Sequence, residues 1–330
     1  MLRRIVADRG DHGRRLDLVF RRHLADLTGA TRTQVQGWIA GGAVTLNGRG
    51  IRRTAARVAA GDVLTVLLPS ELAAARPVMT PQDLALDILY EDDHLIAINK
   101  APGVVVHPTY RHSDHTVMNA LLWRARHWGG LRRPSMVNRL DKLTSGIVIG
   151  AKTARAHAAM QRALAGDRAA KEYLALVYGR VPRSRGTIDL GLRRDPRDRR
   201  RVVASSDGAR SVTRWERLGR VPAKPVGLAL LKCGLVTGRM HQIRVHLAAS
   251  RWPLVGDAKY GQPLWLDIAD ADLRDALRSF TRQALHAWRL AVTHPVTGAP
   301  LRIEAPPPTD LQHLLGAAGL GGSLRDDRAR

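Results

Sequence analysis

Residues 138–151 read NRLDKLTSGIVIGA, a polar cluster that runs directly into an apolar, strand-like segment. The cluster contains one carboxylate, Asp141, among two cations and two hydroxyl groups. Cations and hydrogen-bond donors around a carboxylate favour its ionised form, which suits a group that performs chemistry. The same residues also fit an aspartate that merely closes a turn before a strand, and this stretch alone leaves both interpretations open.

Other strand-like and helical segments surround this stretch. The strand-like segments are residues 95–98, 147–151, 172–178, 227–231, 243–247 and 288–292. Helical patterns occupy residues 116–127 and 154–165. Because strands outnumber helices and do not alternate with them regularly, the sequence predicts an α+β domain with a mixed, largely antiparallel sheet and flanking helices.

A smaller unit precedes this domain. It begins with two helical patterns, and a capping-box pair at Thr31 and Gln34 opens the second of them. Two short strands follow, and a tight turn at Asn47-Gly48 comes after the first strand. This pattern predicts a small αβ module. The predicted division of the chain is a module over 1–70, a linker over 71–82, a second domain over 83–310 and a disordered, Gly-rich and charged tail over 311–330.

The charge of the chain points to a polyanionic partner. Its 330 residues include 53 Lys and Arg against 29 Asp and Glu, a formal net charge of +24 with a pI of about 11.5. Such an excess of positive charge makes nucleic acid the first candidate. An arginine-rich genome would explain the number of arginines but not the shortage of acids.

Several kinds of chemistry and location are disfavoured by what the sequence lacks. A single cysteine, Cys233, excludes a disulfide framework and a zinc site built on thiolates. No P-loop, dinucleotide fingerprint or HExxH motif occurs, so we expect no nucleotide cofactor and no metal. Neither a signal peptide, a membrane-length apolar run nor an extended heptad repeat is present, so we expect a cytoplasmic monomer with no membrane association.

A second polar cluster lies at residues 237–247, which read TGRMHQIRVHL. A metal site on His241 and His246 is disfavoured, because no third ligand has suitable spacing and the neighbouring arginines repel a cation. If this segment is extended, Gln242, Arg244 and His246 share one face. Arg244 is then a candidate cation for a carboxylate or a phosphate.

A third cluster, Lys171-Glu172-Tyr173, opens an otherwise apolar strand. Lys171 and Tyr173 project from the same face of such a strand, so a ring stands beside a charge. Aromatic rings stack on bases and contribute about 1–3 kcal/mol per base in single-stranded binding. The alternative is a tyrosine of the sheet core.

The segment 193–201 is the most basic part of the chain. We interpret it as a loop that grips RNA, and the alternative is a solvated, charged loop. Its six arginines are Arg193, Arg194, Arg197, Arg199, Arg200 and Arg201.

Taken in order, these segments resemble the pseudouridine synthases of the RluA type. The resemblance runs from about residue 86 to 308 and includes EDDHLIAINKAPGVVVHP, RLDKLTSG, KEYLALVYG, TGRMHQIRVHLAASRWPLVGDAKYG and RQALHAWRLAVTHPVTG. It implies an isomerase that converts uridine in RNA to pseudouridine. The enzyme breaks the N-glycosidic bond, turns the base and joins C5 to C1′ of the ribose, without a cofactor.

The resemblance also implies roles for individual residues. Asp141 is the catalytic carboxylate, which either attacks the sugar or removes its C2′ proton; Arg244 pairs with it, and Tyr173 stacks on the target base. The uridine is flipped out of the RNA helix, and basic side chains offset the cost of doing so. The RNA contacts expected in this domain are Arg139, Lys171, Arg193, Arg194, Arg197, Arg199, Arg239 and His241.

The N-terminal unit resembles the small RNA-binding module of the alpha-L type, first named from a ribosomal small-subunit protein. Thr31-Arg32 and the segment 44–48 carry much of this resemblance, which implies that Arg32 and Arg49 contact phosphates. Family members with this module mostly modify large-subunit ribosomal RNA, so it is the expected substrate, with transfer RNA as the alternative. A non-catalytic RNA-binding or ribosome-assembly factor and a hydrolase that releases uracil stay open as other functions.

Overall fold

The computed structural model describes residues 2–24, 27, 30–68, 79–109, 112–129, 132–222, 226–266 and 268–326. The chain divides into two compact units, residues 1–78 and 79–330. Residues 71–78 of the predicted linker lie outside the described residues. Thr80, also in the predicted linker, belongs to the second unit, where its carbonyl oxygen accepts a hydrogen bond of 2.8 Å from the Asn119 side chain.

The first unit packs two helices against a four-stranded antiparallel sheet. Its strands are β1 (Leu2–Val6), β2 (Val44–Leu46), β3 (Arg49–Gly50) and β4 (Val63–Leu67), in the spatial order β1-β4-β2-β3. Its helices are α1 (Leu16–His23) and α2 (Arg32–Ala40). The predicted cap, Thr31, accepts a hydrogen bond from the Gln34 amide. The predicted helices, turn and strands are confirmed, and β1 and β3 are additional strands that the sequence pattern did not predict.

The second unit is built on a ten-stranded mixed sheet. Its strands are β5 (Ile88–Glu91), β6 (Leu95–Lys100), β7 (Ser135–Met136), β8 (Ser145–Ala151), β9 (Ala170–Tyr178), β10 (Arg185–Asp189), β13 (Val212–Val221), β14 (Leu228–Leu235), β15 (Leu285–Thr293) and β16 (Pro300–Glu304). The main path runs β10-β13-β14-β9-β15-β8-β6-β5, while β16 pairs with β15 and β7 with β8. Of the pairings between described strands, only β8 with β15 is parallel. The predicted α+β class with a largely antiparallel sheet is confirmed.

A separate two-stranded hairpin stands apart from this sheet. It consists of β11 (Leu192–Arg194) and β12 (Val202–Ala204), joined by the arginine-rich segment. We call residues 192–204 the arginine hairpin. Leu192 and Val202 are buried against Val245, so the hairpin has a small apolar attachment to the rest of the unit.

The helices of the second unit cover both faces of the sheet. They are α3 (Val117–Arg124), α4 (Ala154–Ala165), α5 (Gln242–Ala249), α6 (Ala271–Ser279), α7 (Thr309–Ala317) and α8 (Ser323–Asp326). Successive residues of β9 point to opposite faces. Leu174 and Leu176 lie in a core with residues of α6 and α7, whereas Tyr173 and Ala175 lie on the face that packs against α5. None of the described helices is long and apolar enough to span a membrane.

The predicted strand over 243–247 is wrong, because these residues lie in α5. Side chains from Gln242 to Leu247 are all buried, whichever way they point. A short helix that is buried on every side shows no polar face, and its sequence cannot be distinguished from a buried strand by periodicity. Gln242, Arg244 and His246 therefore do not share one face of a strand.

The predicted disordered tail over 311–330 is also wrong for its described part. α7 buries Leu311, Leu314 and Leu315, and α8 follows it. The carboxylate of Asp310, in the first turn of α7, binds the buried Arg282 side chain through two hydrogen bonds of 2.6 and 2.8 Å. Residues 327–330 lie outside the described residues.

Candidate active site

Three segments bring the predicted site residues to one end of the large sheet. The loop between β7 and β8 carries Asp141, the start of β9 carries Tyr173, and the first turn of α5 carries Arg244. Asp141 and Tyr173 line an open groove of about 690 Å³, which we call the active-site groove. The predicted RNA-binding residues that also line it are Arg139, Lys171, Arg194, Arg239 and His241.

Arg244 joins two carboxylates, and we call Asp141, Arg244 and Asp257 the buried ion cluster. Nη1 of Arg244 donates a hydrogen bond of 2.8 Å to Oδ2 of Asp141. Its Nε and Nη2 donate to the two oxygens of Asp257 at 2.7 and 2.8 Å. Arg244 and Asp257 are buried, and the side chain of Asp141 is 23% exposed. The predicted pairing of Arg244 with Asp141 is thus present in the structure.

The charges of this cluster support one another. Burial alone would raise the pKa of Asp257, but the hydrogen bonds from Arg244 lower the pKa of this carboxyl below its usual value. Burial alone would lower the pKa of Arg244, but the carboxylates of Asp257 and Asp141 raise it. The guanidinium is therefore a permanent cation, fixed by Asp257 on one side and turned toward Asp141 on the other.

The two oxygens of Asp141 have different surroundings. Arg244 donates to Oδ2, and Nε2 of His241 lies 3.6 Å from the same oxygen. No hydrogen bond from a described residue reaches the other oxygen, Oδ1. A carboxylate that is anchored through one oxygen presents the second one to whatever occupies the groove.

The orientation of His241 is set by Tyr260. The Tyr260 hydroxyl oxygen accepts a hydrogen bond of 2.9 Å from the Val202 amide and lies 2.7 Å from Nδ1 of His241. The hydroxyl proton is then available to Nδ1, which leaves the neutral imidazole with its N–H on Nε2, facing Asp141. Burial lowers the pKa of His241, and the nearby Asp141 offsets this only in part, so a neutral ring is favoured.

Tyr173 provides an aromatic ring beside Asp141. It is half-buried between the core under α5 and the core that includes Ala287. Burial, with a smaller contribution from the charge of Asp141, raises the pKa of Tyr173 to about 12. The phenol is therefore protonated at neutral pH and acts as a ring and a hydroxyl group rather than as a phenolate.

Lys100 supports the loop that carries Asp141. Its Nζ, at the buried end of β6, donates hydrogen bonds to the carbonyl oxygens of Ala101, Val104 and Lys142 at 2.8, 2.9 and 3.0 Å. Burial, together with repulsion from Arg282, lowers the pKa of Lys100 to about 7. The three hydrogen bonds tie the loop after β6 to the residue that follows Asp141.

The other predicted RNA contacts lie on the arginine hairpin and in the first unit. Arg193, Arg197 and Arg199 are exposed on the hairpin, and only Arg193 has an ion pair among the described residues, at 3.3 Å from Asp207. Arg32 and Arg49 are exposed residues of the first unit. None of these five lines the active-site groove.

Sequence reasoning missed Asp257, Tyr260 and Lys100 as parts of the site. A signal for Asp257 was present, because it is the single acidic residue between positions 237 and 261. A buried arginine has five N–H donors to satisfy, so one partner carboxylate is too few. No comparable signal marks Tyr260, whose role depends on contacts with Val202 and His241 that are distant in sequence.

One group of residues in the first unit has the arrangement of metal ligands. Asp8, Asp11 and His23 place one ligand atom each within 4.8 Å of one another. Arg22 already donates to both carboxylates, at 2.8 and 2.7 Å. Because this guanidinium supplies the positive charge, we assign no metal to the group.

Comparison with known proteins identifies the family to which the chain belongs. A model of the family described as RNA pseudouridylate synthase matches residues 94–249. The chain is 40% identical over 331 residues to "Ribosomal large subunit pseudouridine synthase D" of Xanthomonas campestris pv. campestris, which covers 100% of this chain and 94% of that protein. It is 40% identical over 321 residues to the protein of the same name from Xylella fastidiosa, with 97% and 92% covered.

A solved structure shows the same architecture. The chain matches "Human RNA Pseudouridylate Synthase Domain Containing 1" with a TM-score of 0.55 and 25% identity, over 73% of this chain and 90% of that one. The chain therefore belongs to the RNA pseudouridylate synthase family. The resemblance to the RluA type is confirmed with it. The resemblance of residues 1–70 to an RNA-binding module stays a prediction.

Proposed function

We propose that this protein converts uridine to pseudouridine in large-subunit ribosomal RNA, with Asp141 as the catalytic carboxylate. The observation that carries the proposal is the carboxylate in the active-site groove, held by Arg244 through Oδ2 while Oδ1 accepts no hydrogen bond from a described residue. The choice of ribosomal RNA is supported by relatives at 40% identity that are named as large-subunit enzymes.

The reaction needs only one carboxylate. A classical glycosidase uses two, because its leaving group must be protonated as the glycosidic bond breaks. Uracil leaves with its negative charge spread over two carbonyl groups, so no second acid is required at that step. The isomerisation is redox-neutral. The N1–C1′ bond breaks and the C5–C1′ bond forms, while C5 loses a proton and N1 gains one.

Asp141 begins this sequence in one of two ways. Its free Oδ1 either attacks C1′ and forms a bond to the sugar, or removes the C2′ proton. Both start with the same oxygen directed at the ribose, and in both Arg244 holds the other oxygen in place. The buried ion cluster thus serves either route.

Tyr173 stacks on the target base in this proposal. Its ring lines the same groove as Asp141, and its raised pKa keeps the hydroxyl group protonated. Stacking on a flipped base contributes about 1–3 kcal/mol. This offsets part of the few kcal/mol that it costs to take the uridine out of its helix.

The basic residues hold the RNA around the flipped uridine. Phosphate contacts of this kind supply affinity that falls steeply with salt. The proposed contacts are Arg139, Lys171, Arg194, Arg239 and His241 in the active-site groove, Arg193, Arg197 and Arg199 on the arginine hairpin, and Arg32 and Arg49 in the first unit.

The test is release of tritium from 5-tritiated uridine in an unmodified large-subunit ribosomal RNA transcript. The wild type should release tritium without losing base from the RNA, whereas Asp141→Asn should lower kcat by about 10³-fold and keep its RNA affinity within a few-fold. Asp272→Asn, an exposed aspartate of α6, is the matched control and should be fully active.

Each rival function has its own outcome in this assay. Free uracil as the product would identify a hydrolase, and RNA binding without tritium release on any RNA would identify a binding or assembly factor. Normal turnover by Asp141→Asn would refute the assignment of the catalytic residue. Mapping pseudouridine in ribosomal and transfer RNA from cells that lack the protein identifies the substrate. We expect the protein to be a monomer in the cytoplasm, and gel filtration tests its oligomeric state.

A further inference from the structure

A second groove lies at the same end of the large sheet. It has a volume of about 700 Å³, and we call it the sheet-end groove. It shares Lys171, Glu172, Leu235 and Val236 with the active-site groove, so the two are continuous around the start of β9 and the end of β14. Of its lining residues, only Lys171 is among the RNA contacts proposed for the active-site groove.

The sheet register explains the shape of this groove. Two rows of side chains cross four strands on the face opposite Tyr173. The rows are Thr187, Arg214, Gly234 and Glu172, then Arg185, Glu216, Lys232 and Leu174. Gly234 leaves a gap in the first row, because a Cβ built there would meet only the Cβ of Arg214, at 3.9 Å. The backbone in the middle of the groove is therefore open to a ligand.

The charges along this groove are unevenly balanced. Lys232 and Glu216 pair at 3.0 Å. Arg168, Arg185 and Arg214 are exposed, and no side chain of the three makes a hydrogen bond or ion pair with any described residue. Free guanidinium groups bind phosphates through paired hydrogen bonds. Two carboxylates, those of Asp167 and Glu172, also line the groove and leave its charge moderately positive.

We propose that the sheet-end groove binds the phosphate backbone of the RNA strand where it continues from the target uridine beyond the minimal stem–loop. The inference rests on the proposed function, because a flipped uridine stays covalently joined to its neighbours. The strand that leaves the active-site groove must follow an adjoining surface, and the sheet-end groove begins at Lys171 and Glu172, where the two grooves meet. An acidic protein segment would find the same arginines but has no reason to begin at the uridine site.

The experiment compares two RNA substrates of one enzyme. The long substrate is the unmodified large-subunit ribosomal RNA transcript, and the short one is the smallest stem–loop from it that the wild type still converts. Arg185→Glu with Arg214→Glu should raise KM for the long RNA by roughly tenfold and reduce its salt slope by about two. kcat on both RNAs, and KM for the short one, should stay at the wild-type values.

Two controls separate charge from shape and from folding. Arg220→Glu with Arg302→Glu reverses the charge of two other exposed arginines of the same sheet, which lie outside both grooves. This variant should leave KM for the long RNA unchanged. Gly234→Leu fills the gap without altering charge and should also raise KM for the long RNA. Thermal unfolding of each variant shows whether it is folded.

The outcomes distinguish this inference from the function on which it rests. An unchanged KM for the long RNA in folded variants overturns the inference and leaves the proposed function intact. An equal rise in KM for both RNAs also overturns it, because the groove would then act on the uridine site itself. If the wild type converts neither RNA, the proposed function fails instead.

Discussion

The arginine hairpin and the buried ion cluster use the same two residue types in opposite ways. On the hairpin, arginines extend into solvent and meet aspartates at the surface, as in the Arg200–Asp198 contact of 3.0 Å, whose arginine side chain is 76% exposed. In the cluster, Arg244 is 8% exposed at its side chain and meets two carboxylates at 2.7–2.8 Å.

This contrast shows that burial decides whether a charged side chain can change its partner. Water and salt screen the hairpin charges, so separating these side chains from their surface partners costs little free energy. Charges that have been removed from water must keep their partners, because a buried charge without one is strongly unfavourable. Exposed arginines are suited to gripping a variable polyanion, and a buried one is suited to aiming a single carboxylate.

The largest expected effect comes from removing Arg244. Arg244→Ala leaves Asp257 buried without its cation, which should lower the free energy of unfolding by about 3–5 kcal/mol. Urea unfolding measures this change. Arg200→Ala, the surface counterpart, should leave the unfolding midpoint unchanged. Equal losses of stability in the two variants would show that burial does not decide the contribution of these arginines.

A second prediction concerns Lys100, a buried amine whose hydrogen bonds reach carbonyl oxygens and, within the described part of the chain, no carboxylate. Its pKa is lowered to about 7, so between pH 7 and its unfolded value of 10.5 the unfolded chain binds more protons than the folded one. Relative to Lys100→Met, the wild type should therefore gain about 1 kcal/mol of stability per pH unit from pH 7 to 9. Urea unfolding at several pH values measures this, and a flat difference would contradict it.

The hairpin arginines should affect binding without affecting stability. Replacing Arg193, Arg197 and Arg199 with alanine should raise KM for ribosomal RNA by roughly tenfold and lower the salt slope by about one for each lost phosphate contact. kcat and the unfolding midpoint should not change. Alanine at Arg220 and Arg302 is the control. An equal rise in KM for that variant would show that only the net charge of the protein matters.

The smallest expected effect tests the residue that links the two regions. Tyr260→Phe keeps the ring near Arg244 and removes the hydroxyl that contacts Val202 of the hairpin and His241 of the groove. Loss of one such hydrogen bond costs about 1 kcal/mol, so kcat/KM should fall about fivefold. Nitrogen NMR should show His241 changing from the Nε2–H tautomer to a mixture of the two neutral tautomers. An unchanged tautomer would refute the role of Tyr260 in orienting His241.

Much of the second unit could be predicted because its strands carry apolar runs bounded by polar clusters. The runs at 95–98, 147–151 and 172–178 became β6, β8 and β9, and polar residues that precede the last two runs line the active-site groove. Asp141 and Tyr173 were accessible to this reasoning because each stands at the edge of an apolar strand.

The parts that escaped prediction depend on contacts distant in sequence. α5 is buried on every side, so its period is hidden, and β13 carries charged residues such as Arg214 and Glu216 that interrupt an apolar pattern. The roles of Asp257 and Tyr260 follow from partners that only the folded chain brings together. Local sequence patterns contain no information about such partners.

The end of the chain has a genetic consequence. α7 supplies three buried leucines and the Asp310 carboxylate that binds Arg282, and Nη1 of Arg282 lies 3.3 Å from the carbonyl oxygen of Leu143, close to Asp141. A premature stop codon ahead of Thr309 would spare every residue of both grooves, yet it would uncover the sheet and leave a buried guanidinium without its counterion. Nonsense mutations that late in the gene should therefore behave as loss-of-function alleles.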